Sequence, residues 1–90
     1  MSKKAEPRPT TGRIVRYRGK HGLHAVRAAI VTADIDTLDP EGVRVGAVPA
    51  LDSDQHVHLL VFTPGAQGFF HEFNVPPGDE PGTWHWPERV

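Results

Sequence analysis

The sequence predicts an all-β fold, one small, partly open antiparallel barrel of about five strands. Three observations carry this. Residues 56 to 75, HVHLLVFTPGAQGFFHEFNV, hold two runs rich in Val, Leu and Phe on either side of a Pro- and Gly-containing reversal, the pattern of a β-hairpin. Two further runs, at 13 to 18 and 25 to 33, are rich in β-branched residues. A lone hairpin is marginal in water, so its apolar face calls for those runs as partners.

In chain order, residues 1 to 11 carry Pro7, Pro9 and several charges without a large side chain to bury beyond Met1, and read as a flexible arm. Residues 12 to 90 then form a single domain. In GRIVRYR, Val15 and Tyr17 face inward while Arg16 and Arg18 face water. GKHGLH breaks that strand with two glycines, as a loop of the kind that often carries binding residues. AVRAAIVTA is a second strand, its alanines marking a crowded place in the core. DIDTLDPEG reads as an acidic, solvated loop, and VRVGAVPAL as a short strand or extended edge that Pro49 keeps out of the sheet centre.

Alternation in the hairpin places Val57, Leu59 and Val61 on one face, opposite His56, His58, Leu60 and Phe62. The core is expected to contain Val57, Leu59, Val61, Phe69 and Phe73, with Leu60, Phe62 and Phe70 over a second cluster. After PPGDEPG, the segment TWHW supplies a short closing strand or a single helical turn, with Trp84 buried and Trp86 partly exposed.

Composition narrows the function classes. At 90 residues the core is small, since a chain this short removes only about 60 to 65 per cent of its unfolded surface from water. Without cysteine there is no disulfide framework and no thiolate metal site. Neither a secretory signal nor a membrane-spanning run is recognisable, so a cytoplasmic location is expected. Charge is uneven along the chain. Up to residue 27 there are eight basic residues against the single acid Glu6; beyond it, Arg44 and Arg89 face ten acids.

No catalytic constellation emerges. Ser53 beside Asp52 and Asp54 lacks a nucleophile elbow, and GKHG lacks the spacing of a phosphate loop. Six histidines invite a metal, with His56, His58 and His71 as the permitted ligand set, yet no metal-binding spacing accompanies them, and no metal or cofactor is assigned.

GRIVRY, AAIVT, LLVFTPG followed by FF, and above all the terminal PGTWHWPE resemble a family of small, mostly uncharacterised proteins from actinobacteria and their phages, over residues 12 to 88. The resemblance implies a compact β domain and brings no catalytic residues. The order of strands and loops is similar to an SH3-like barrel, in which the first long loop and the turn before the last strand form a binding surface. That analogy places a site at Tyr17, Arg16, Arg18, Lys20, His21, Trp84 and Trp86. The expected function is a non-enzymatic binding module with a protein partner. The alternatives are nucleic-acid binding through the basic strand and loop, and a histidine-based metal-dependent enzyme.

Overall fold

The computed structural model describes residues 8–20, 25–65 and 68–87. Five strands, β1 (Ile14–Arg18), β2 (Val26–Ala33), β3 (Val57–Phe62), β4 (Phe69–Val75) and β5 (Trp84–His85), form one antiparallel sheet in the order β4-β3-β2-β1-β5. The sheet curls into a partly open, SH3-like barrel. Tyr17 on β1 meets Phe70 on β4 edge-on at 6.4 Å, although two strands lie between them. One end is closed where Trp84 C=O accepts from Gly78 N–H at 2.9 Å and its N–H donates to the Pro76 carbonyl at 3.0 Å.

Inside the curl lie Val15, Tyr17, Ala29, Val31, Val57, Leu59, Val61, Val75 and Trp84, with Phe70 and Trp86 packed at the rim. Of the alanines in β2, Ala29 is fully buried, whereas Ala28 is exposed on the opposite face. The Trp84 indole N–H finds the Gln55 carbonyl at 2.9 Å, which lets a polar edge be buried without cost to its hydrogen bonding. Tyr17 is less well served. Its hydroxyl is buried without a hydrogen-bond partner of ordinary geometry among the described residues; burial, then the nearby Glu72 carboxylate, push the phenol up to about 12.

Phe69 and Phe73 do not join this core, contrary to the pattern read from alternation. They are 60% and 52% exposed. The cause is the hairpin register, which pairs Phe69 with the outward-facing Phe62 and His71 with Leu60; a bulge in β4 then follows. Leu59 stands opposite Glu72 and Val57 opposite Val75, so Phe73 and Asn74 together face the single residue His58. Asn74 takes up the extra length at φ 54°, a conformation asparagine tolerates better than most residues. The bulge reverses the parity of the strand: Phe70, Glu72 and Val75 share the inner side, and Phe69, His71 and Phe73 share the outer one.

His58 holds that bulge. Its Nδ1 accepts from Asn74 N–H at 3.0 Å, so Nε2 carries the proton and donates to the Pro49 carbonyl at 2.8 Å. Asn74 in turn accepts from Asp52 N–H and donates to its carboxylate, both at 3.0 Å. Substituting His58→Phe keeps a ring but leaves the Pro49 carbonyl and Asn74 N–H unbonded. The expected loss is about 2 kcal/mol in denaturant unfolding, and a loss below about 0.5 kcal/mol would show the clamp to be unnecessary.

The crossing from β2 to β3 differs from the expected loop and extended edge. It contains α1 (Pro40–Arg44), one short helix. Asp39 caps it through Glu41 N–H at 3.1 Å, Pro40 occupies the first turn, and the Arg44 guanidinium pairs with the Glu41 carboxylate. Gly42 is buried, and a Cβ there would stand 2.9 Å from the Val48 side chain. Residues 8 to 11, read as part of a flexible arm, are packed: Pro9 is fully buried, and Arg8 pairs with Asp36. Asp34 was expected in solvent and is 2% exposed. Residues 1–7 lie outside the described residues.

Candidate functional site

The convex side of the sheet carries the most unusual surface of the molecule. Partners across an antiparallel ladder share a face, so the register defines its rows. Ile14 stands opposite Ile30, Ile30 opposite Leu60, and Leu60 opposite His71. In the neighbouring row Arg16 lies between His85 and Ala28, while Phe62 pairs with Phe69. Arg18 and Val26 form a third row. Ile14 is 60% exposed, and Val26, Phe62, Phe69 and Phe73 are also exposed.

A hollow of about 400 Å³ opens on this side, lined by Ile14, Arg16, Val26, Ala28 and Pro87 together with the adjoining strand residues. Toward the other edge Phe73 is held in place, stacked on His71 at 5.9 Å and edge-on to His58 at 5.2 Å. The electrostatics are one-sided. Glu72 is the only carboxylate in the five strands, and it turns inward to meet Lys20 Nζ at 3.3 Å. The convex rows therefore combine exposed apolar groups with Arg16, Arg18 and two histidines, and contain no acid.

Comparison with protein-family models, curated proteins and solved structures yields no match.

The residues singled out from sequence are distributed over several parts of the fold. Arg16 lies on the convex face, beside the hollow. Arg18 ends the same strand, with its backbone bonded to Thr83 and Gly82. Lys20 crosses the barrel mouth to Glu72. Tyr17 and Trp84 are cross-strand neighbours inside the core, where they position β1 and β5. His21 lies outside the described residues. Trp86 sits at the rim of a separate groove of about 360 Å³, which Gln55, Pro77, Gly78 and Asp79 help to line. One side of its ring faces the Arg13 guanidinium at 4.7 Å, and Trp84 meets it edge-on at 5.4 Å.

The histidines are separated in role. His58 uses both nitrogens within the fold, and His56 Nδ1 is bonded to Ser53 Oγ at 2.7 Å. Among the described residues no group of three or more His, Cys, Asp or Glu is placed to hold a metal ion. No helix among them is long and apolar enough to cross a membrane. Alternation within β4 alone could not place Phe69 and Phe73 on the convex side, because their face follows from the pairing of Phe62 with Phe69 across the hairpin. Ile14, by contrast, was legible as the outward neighbour of Val15.

Proposed function

We propose that this domain is a non-enzymatic protein-binding module that docks its convex sheet face on a partner whose matching surface is apolar and bordered by carboxylates. The observation that supports this reading is the continuous outward band through Ile14, Ile30, Leu60, Phe62 and Phe69. Contiguous apolar patches of this kind on small soluble domains mark interaction surfaces more often than scattered single residues do. Arg16, exposed beside the hollow on this face, favours an acidic border on the partner. A nucleic-acid role is less well supported: Arg13 lies over Trp86, Lys20 pairs with Glu72, and Arg27 stands opposite Tyr17 on the inner side, so the basic residues do not form one stripe. In keeping with the resemblance of PGTWHWPE, the setting is that of an accessory protein of phage or actinobacterial origin, acting in the cytoplasm.

The test is crosslinking and affinity capture from the native host, followed by binding measurements with the purified partner. The double variant Ile14→Glu, Val26→Glu alters exposed side chains at the hollow and is expected to keep its circular dichroism spectrum while weakening binding at least tenfold. Undiminished binding by that variant would remove the basis for the reading. A salt-dependent affinity for DNA or RNA that survives in the same variant would replace it with the nucleic-acid alternative.

A further inference from the structure

The exposed edge of β4 has an arrangement that the docking face does not require. β4 is paired on one side only, with β3. Thr63 N–H donates to Gly68 O at 2.8 Å, which identifies residues 63 and 68 as a hydrogen-bonded pair. Alternation along the ladder then turns the backbone groups of Phe70 and Glu72 toward β3, and those of Phe69, His71 and Phe73 away from it. Among the described residues, the outward bonds from the segment after β4 are those of Pro76 and Gly78, where Trp84 closes the barrel. The three outward residues have no proline or lysine among them to blunt the edge.

These residues are also symmetric in type. Phe69, His71 and Phe73 read the same in both directions, and all three side chains stand exposed on the convex side. We propose that two copies of the chain pair β4 to β4, antiparallel, about a two-fold axis at His71. In that register each Phe69 lies opposite Phe73 of the other copy, and every outward N–H and C=O of the three residues finds a partner. On the inner parity Phe70 meets Glu72 of the second copy, whose charge Lys20 already balances at 3.3 Å. Arg16 and Arg18 lie on β1, at the other side of the sheet, so the two sets of cations stay apart. The contact is isologous and closed, which limits assembly to two copies rather than a filament. It joins the two convex faces into one continuous surface. This inference rests on the strand edge and not on the docking reading, and either stands without the other.

Sedimentation of the full chain across a concentration series tests it. The expected result is a species of twice 9.9 kDa. His71→Pro removes only an outward N–H, which an edge strand tolerates, and is expected to give a folded monomer. Because the chain has no cysteine, His71→Cys provides a single thiol. Hydrogen-bonded antiparallel partners lie about 5.5 Å apart at Cα, within reach of a disulfide, so mild oxidation should give a covalent dimer, whereas Ile14→Cys should not. If His71→Pro fails to fold, the thiol pair of variants still decides. A wild-type chain that remains monomeric at millimolar concentration, or a dimer that crosslinks equally through position 14, would overturn the proposal.

Discussion

Trp84→Ala is expected to lower the thermal midpoint by roughly 15 to 30 °C, the largest effect of any single substitution considered for this domain. Trp84 is 2% exposed and lies against Tyr17 across the β1–β5 ladder. Truncating a buried tryptophan costs about 3 to 5 kcal/mol in lost burial and residual cavity. The substitution also strands the Gln55 carbonyl that accepts from the indole. A domain of this size has roughly 5 to 13 kcal/mol of stability in total, so a large part would be lost. The ladder makes the site sensitive, because β5 has only two residues and joins β1 to the Pro76–Gly78 segment. Trp86→Ala provides the comparison. Its ring is only partly buried, and the expected cost is about 1 to 2 kcal/mol. Equal midpoints for the two variants would mean that closure at β5 contributes little to holding the barrel together.

The second large effect belongs to Asp34, whose replacement by alanine is expected to cost about 3 kcal/mol. Its carboxylate receives Thr11 N–H at 3.1 Å, Thr11 Oγ1 at 2.7 Å, Thr37 Oγ1 at 2.8 Å and Asp36 N–H at 3.3 Å. Burial opposes the charge, but these donors outweigh it and hold the carboxyl below its ordinary value of 3.8. The folded state thus binds its proton less readily than the unfolded chain. The resulting stability is fully present above the unfolded value, and is lost as pH falls from there through the lower folded one. Acid unfolding of the wild type should therefore steepen below about pH 4, and Asp34→Asn should flatten that limb while lowering stability at neutral pH. An unchanged acid limb in Asp34→Asn would show that other carboxylates set the transition.

Much of the architecture was legible because two periods agreed with it. Val15 and Tyr17 alternate with Arg16, and Val57, Leu59 and Val61 alternate within β3, so the inward faces of these strands followed directly from the pleat. The crossing between β2 and β3 was read less well. Asp39, Pro40 and Glu41 form a helix-start signal, but the short turn they begin was obscured by the acidic, Pro- and Gly-containing context that also describes a loop. Asp34 shows the same limit: its burial depends on Thr11, 23 residues earlier, and no local pattern announces that partnership. The candidate site was legible only in part. Arg16 could be placed outside from its own strand, whereas the positions of Phe69 and Phe73 required the hairpin register, and the bulge at Asn74 is what lets Val75 still point inward.

The pairing of Tyr17 with Trp84 also governs when the molecule can become itself. Most of the chain must be gathered before these two residues meet, so the final seam is a distant encounter rather than a local zip. The central hairpin can assemble early, but β1 waits for its outer neighbour until the tail arrives. Until then the greasy inner wall has an unsealed side, and the interval before sealing is when an unfinished copy is most open to the wrong neighbour.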